Sequence, residues 1–224
     1  MRMALLFVAA GLAVTAANQS QACVDTAIVL AVDGSGSITD GEYGFQKSAI
    51  VSAFRDTSVL SAIRSSGGVA VAAVFWGDAE LHPQKVGWFI MDGTEPSEQF
   101  AFEIERHQRT SWGNTDIGSG LWIALDLLSD PQVCARRRIV DLSGDGIETI
   151  TPKRKESVSL DQARDRAEAM GVTVNGLVIS DEVKDLADYY NERVIVGPNK
   201  FVIDIRNFED FARAIRLKLI RELS

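Results

Sequence analysis

Two patterns of apolar and polar positions alternate along this 224-residue chain. "TAIVLAVD" (26–33), "VAVAAVFW" (69–76), "RIVDLS" (138–143), "VTVNGLVIS" (172–180) and "FVIDI" (201–205) are rich in Val and Ile and often apolar on both faces. That pattern predicts buried parallel strands. Gln84 to Met91 reads as a further strand at an edge. Between the runs the spacing turns helical. Asp40 to Ile63 carries Tyr43, Ile50 and Phe54 on one side, and Ser97–His107 and Asp116–Leu128 are further candidates. Leu160–Met170 stops at Gly171, and Phe208–Leu223 follows Asn207 as N-cap, with Phe208, Phe211, Ile215 and Leu219 on one side. Strands alternating with helices predict an α/β sheet wrapped by helices. No Pro-rich linker or internal repeat divides the chain.

The N-terminus follows a different rule. Arg2 precedes a nearly continuous apolar and small-residue run, Met3 to Ala17, and "SQA" (20–22) fits a small-x-small cleavage site. Residues 1–22 therefore read as a signal peptide and 23–224 as one mature domain. The run is short for a transmembrane helix, and no later segment reaches 18 apolar residues. The expected location is periplasmic or secreted. A lipoprotein processed at Cys23 is the alternative, although Ser20 stands where such sites usually carry Leu. Two cysteines, Cys23 and Cys134, suggest one disulfide in an oxidising compartment.

Apolar residues make up 46% of the chain, enough for a sizeable core, and the net charge of −8 argues against a nucleic-acid partner. Arg136-Arg137-Arg138 is a short basic cluster, read as a solvated lead-in to a strand or as a phosphate patch. Asp78, Glu80, Asp92, Glu95 and Glu98 form an acidic region, read as solvated loops or as a second, weaker cation site.

Ligands of such sheets bind beyond the carboxyl ends of the strands. The first strand ends in Asp33-Gly34-Ser35-Gly36-Ser37, "TSWGNTDIGSG" (110–120) leads into a helix, and "DLSGDG" (141–146) follows a later strand. These loops offer oxygen ligands throughout. Asp33, Ser35, Ser37, Thr115 and Asp145 suit a hard divalent cation, Mg²⁺ or Mn²⁺. Gly34, Gly36, Gly113 and Gly146 let the backbone crowd a small ion.

The order D-x-S-x-S, then a Thr in a glycine-flanked loop, then Asp-Gly after a strand, resembles the von Willebrand factor A (VWA) domain with its metal-ion-dependent adhesion site (MIDAS). "VDLSGDG", "VNGLVI" and "FEDFARAIRLKLIRE" resemble a bacterial subgroup of exported proteins in that superfamily. The resemblance implies a doubly wound, mostly parallel sheet of Rossmann-like topology, with helices on both faces and one antiparallel edge strand. It implies metal ligation by Asp33, Ser35, Ser37, Thr115 and Asp145. The third element departs from the usual T-D-G: Ser143-Gly144-Asp145-Gly146 sets one more residue between hydroxyl and carboxylate. Asp145 is the favoured ligand and Asp141 the substitute. The family's sheet order also places the first strand beside the one ending at Asp145. Cys23 and Cys134 would then meet at the opposite end, as a disulfide.

The five oxygens form a metal cup with one coordination position left for a partner's oxygen, and the resemblance implies that a Glu or Asp of a protein partner fills it. Trp76 and Trp112, near the same strand ends, are expected on the rim of that contact or as covers of the core. Two other classes compete. A hydrolase would need a base, and His82 and His107 are the only histidines; neither G-x-S-x-G nor G-x-x-x-x-G-K-[ST] occurs. A structural or assembly module would leave the metal site silent. The expected reading is a binding module, not an enzyme, with no nucleic acid and no membrane span in the mature chain.

Overall fold

The computed structural model describes residues 23–149, 152 and 154–224. The expected signal peptide, 1–22, lies outside the described residues. Six strands form one sheet: β1 (Val24–Asp33), β2 (Val69–Trp76), β3 (Gln84–Met91), β4 (Ala135–Gly144), β5 (Thr173–Ile179) and β6 (Val202–Ile205). Their spatial order is β3-β2-β1-β4-β5-β6. All neighbours pair parallel except β3, which runs antiparallel to β2 at the edge. The sheet is the expected doubly wound, mostly parallel one.

Alternation along β1 divides the core in two. Ile28, Leu30 and Val32 face one layer, where α1 (Asp40–Arg55), α2 (Thr57–Ser65), α3 (Thr94–Arg106) and α7 (Phe211–Glu222) bury Ile50, Phe54, Phe100 and Phe211. Ala27, Val29 and Ala31 face the other, where α4 (Ile117–Leu128) and α5 (Leu160–Ala169) bury Leu121, Leu125 and Ala163. Both faces of β1 and β2 are buried, which is why their sequences are apolar without alternation.

The helix expected over 40–63 is two helices. Asp56 takes an extended backbone, and its side chain accepts from the amides of Ser58 and Val59 as the N-cap of α2. Asn207 caps a 3-10 turn, Phe208–Asp210, from which α7 continues. A short helix, α6 (Leu186–Tyr189), runs on as a π-helical turn over Tyr190–Val194, a segment whose periodicity is too brief to stand out in the sequence.

At the amino end of the central strands Cys23 and Cys134 form a disulfide, with Cα atoms 4.5 Å apart. The β1–β4 register explains it: Val24 is level with Ala135, and the Val24 amide donates to the Cys134 carbonyl at 2.9 Å.

Asp141 points into the layer under α7, where Lys218 pairs with it at 2.7 Å and with Glu222 at 2.8 Å. The Asn175 amide also donates to Glu222, at 2.9 Å. Asp141 is thus engaged in a buried ion cluster, apart from the strand-end loops. Arg137 donates to the carbonyls of Glu222 and Ser224, and Arg138 to that of Met170, so two residues of the basic cluster cap helix C-termini.

Candidate metal centre

The carboxyl ends of β1 and β4 lie side by side, and the loop entering α4 closes over them. Asp33 ends β1 and is fully buried; its Oδ1 accepts from the Ser35 amide at 2.8 Å. Its Oδ2 is buried without a hydrogen-bond partner. Thr115 donates to Ser35 Oγ at 3.1 Å, the Ser35 and Ser37 hydroxyls are 3.3 Å apart, and Ser37 donates to Asp145 Oδ1 at 2.7 Å. Five side chains from three loops converge, and Ser37 is the exposed member at the mouth.

The loops are stitched by backbone. Gly36 donates to the Gly113 carbonyl at 2.8 Å. Gly113 holds a φ of 74°, and a Cβ there would stand 2.6 Å from Asp78 Oδ2. Thr115 donates its amide to Thr149 Oγ1 at 2.9 Å, and the Thr149 amide returns to the Thr115 carbonyl at 3.0 Å. Gly144, the additional residue of the third loop, lies where a Cβ would be 2.5 Å from the Tyr190 hydroxyl and 3.0 Å from Asp33 Oδ2. The longer loop therefore still carries Asp145 to the cup, and it needs a glycine.

Burial first, and then the charge of Asp145, push the Asp33 carboxyl up to about 7. Burial also pushes Asp145 up to about 6, against the bond from Ser37 and helped by the charges of Asp181 and Glu42. Two neighbouring acids whose ionised forms are disfavoured, with one oxygen orphaned, form an environment whose electrostatic cost a bound cation would relieve. Among the described residues no group of three His, Cys, Asp or Glu side chains could hold a metal. The donor set is two carboxylates and three hydroxyls, a composition that fits a hard cation keeping some of its water.

The structure corrects one rim residue. Trp76 is 1% exposed and lies under α4 against Gly120, where a Cβ would stand 2.5 Å from the indole. Strand alternation turns it inward with Ala72 and Val74. Trp112 is 45% exposed beside Gly113, and Ile147, which the sequence reading passed over, is 49% exposed beyond Asp145. Gln46 was also missed: fully buried, it donates to the Asp33 carbonyl at 3.1 Å. Its signal was a polar residue on the apolar face of α1. Of the acidic region, Asp78 is buried and takes Arg154, which also lies 3.7 Å from Glu80; Glu98 pairs with Arg55 at 2.9 Å. His107 stacks on Phe75 at 4.0 Å between centroids.

Known structures share this architecture. The pilus adhesin SpaC from Lactobacillus rhamnosus GG, in its open conformation, superposes with a TM-score of 0.63 at 14% identity over 91% of this chain and 30% of that one. Proximal thread matrix protein 1 from the mussel byssus gives 0.60 at 19% identity, over 88% of this chain and 47% of that one. The vWF domain of the type V pili tip protein Mfa5 from Porphyromonas gingivalis gives 0.52 at 14% identity, over 88% and 97%. The chain thus spans less than half of the first two proteins. No curated protein matches the sequence. The fold is that of a VWA domain. Residues 22–224 match the family described as "Protein of unknown function (DUF1194)", a VWA-like family to which this chain belongs.

Proposed function

We propose that the chain is an exported, divalent-metal-dependent protein-binding module. Asp33, Ser35, Ser37, Thr115 and Asp145 would hold Mg²⁺ or Mn²⁺, and the bound ion would supply a Lewis-acidic position for a Glu or Asp of a protein partner. The observation that carries this reading is the orphaned, buried Oδ2 of Asp33 within a ring of hydroxyls and a second carboxylate. Trp112, beside Gly113, and Ile147, beyond Asp145, are exposed next to the ligand loops and would give a partner apolar surface. Residues 1–22 would direct export and 23–224 form the mature domain. The Cys23 sulfur is committed to Cys134, which leaves no thiol for a lipid thioether. Among the described residues no helix is long and apolar enough to cross a membrane. The superposed domains of a pilus adhesin and of a pilus tip protein support an adhesive role by analogy of fold.

The test is capture of exported proteins on immobilised 23–224 in Mg²⁺, in chelator, and with Asp33→Ala. A partner retained only in the first arm is the expected result. Equal recovery in all three removes metal-bridged binding.

A further inference from the structure

Arg109 is a buried cation that the metal-binding reading does not use. It precedes the Thr115 loop, yet its side chain is 7% exposed and lies against the first loop. Nη2 donates to three carbonyls of one turn: Gly34 at 3.1 Å, Ser35 at 2.8 Å and Ile38 at 2.7 Å. Nε donates to the Ser111 carbonyl at 3.1 Å, and Nη1 to the Asp40 carboxylate at 2.9 Å. The guanidinium lies over two rings, 4.1 Å from the Trp112 centroid and 5.3 Å from that of Tyr43.

Peptide planarity ties this clamp to the ligands. A trans peptide directs its C=O and N–H in opposite directions. The unit joining Gly34 to Ser35 gives its carbonyl to Arg109 and its amide to Asp33 Oδ1. The next unit gives the Ser35 carbonyl to Arg109 and the Gly36 amide to the Gly113 carbonyl of the second loop. Two rigid plates thus connect one guanidinium to a metal-facing carboxylate and to the loop carrying Thr115. The side chain between them must offer donors in several directions from one plane while staying charged and stacked, which a guanidinium does and an ammonium does not.

We infer that Arg109 is the positioning residue of the metal centre, holding the Asp33–Ser37 turn and the Trp112–Thr115 loop in the mutual arrangement that a cation requires. This rests on the metal reading above. A residue that only supports the fold would lower thermal stability and leave cation affinity alone; a positioning residue changes affinity, by about 10–100-fold for partners behind a metal's direct ligands.

The experiment is Mg²⁺ titration by calorimetry of the wild-type domain, Arg109→Lys and Arg166→Lys. Arg166 stacks on Trp122 at 4.2 Å and pairs with Asp126, outside the cup, so it serves as the control for loss of a stacked arginine. The expected result is at least about tenfold weaker Mg²⁺ binding in Arg109→Lys and less than about twofold change in Arg166→Lys. Wild-type affinity in a folded Arg109→Lys protein overturns the positioning role while leaving the metal site standing. Absence of Mg²⁺ binding by the wild type removes the metal reading and this role with it. Should Arg109→Lys fail to fold, Asp40→Asn combined with Trp112→Leu decides, because both exposed side chains hold the guanidinium from outside. Weakened Mg²⁺ binding there supports the inference, and unchanged binding overturns it.

Discussion

Ser37 donates its hydroxyl proton to Asp145 across 2.7 Å, joining residues 108 positions apart in sequence at the mouth of the cup. In the chain as described, this hydrogen bond is what draws the exposed hydroxyl and the second carboxylate together.

If a cation takes over that task, it stabilises the folded state by mass action. Mg²⁺ at a hundred times its dissociation constant should add about 2.7 kcal/mol. For a domain of this size that raises Tm by about 5–11 °C. Scanning calorimetry with Mg²⁺ and with chelator measures it. Asp33→Asn and Asp145→Asn should abolish the increment. An identical Tm in both buffers for the wild type would leave the site silent.

Two glycines should answer the same substitution with opposite signs. Gly144→Ala places a methyl 2.5 Å from the Tyr190 hydroxyl and 3.0 Å from Asp33 Oδ2, and should cost about 1–3 kcal/mol together with the Mg²⁺ response. Gly44 lies inside α1 with no atom beyond its own helix backbone and chain neighbours within 4 Å of an added Cβ, so Gly44→Ala should stabilise by about 0.5–1 kcal/mol. Urea unfolding of both variants gives the comparison.

The cysteine pair closes a separation of 111 residues. In the loop-entropy picture that closure is worth about 4–5 kcal/mol. Non-reduced protein should titrate no free thiol, and Cys23→Ser/Cys134→Ser should unfold at markedly lower urea. Two reactive thiols in untreated native protein would contradict the bridge.

The buried cluster under α7 should make stability fall as pH rises. Burial first, then the charge of Asp141 from β4, push Glu222 up to about 8, against the bonds from Lys218 and Asn175. Between its ordinary value of 4.5 and 8 the folded state binds the extra proton, so this contribution is intact below pH 4.5 and lost through pH 8. Glu222→Gln should therefore flatten the pH slope over that window relative to wild type and unfold at a higher temperature at pH 8. His107 acts in the other direction: burial, then Lys47, lower it from 6.5 to about 4, so stability is lost as pH falls through that range. The difference between wild-type and Glu222→Gln melting curves from pH 4 to 9 isolates the Glu222 contribution.

The strands were legible because a sheet covered on both faces requires apolar residues at every position, as in Val69–Trp76. The edge strand was legible by its weaker pattern, and the loop oxygens by their spacing. What the sequence hid depended on tertiary partners. Lys218 and Glu222, four apart on the last helix, look like a solvated pair; only β4, carrying Asp141, makes them a buried cluster. Trp76 and Trp112 look equivalent beside strand ends until alternation turns one inward. Arg109 is one of 23 Lys and Arg residues, and nothing local distinguishes the one whose guanidinium a distant turn wraps. The break at Asp56 was readable, since Asp-Thr-Ser is a helix start, but the apolar spacing runs through it.

The disulfide and the cup occupy opposite ends of the same two strands, and this sets a path for mechanical load. If a partner held at the cup pulled on Asp145, tension would travel down β4 to Cys134 and cross through the disulfide to Cys23. The intervening turns and helices are bypassed. That covalent path would spare the parallel ladder between β1 and β4, whose hydrogen bonds then hold the loaded strand in register without carrying the force themselves.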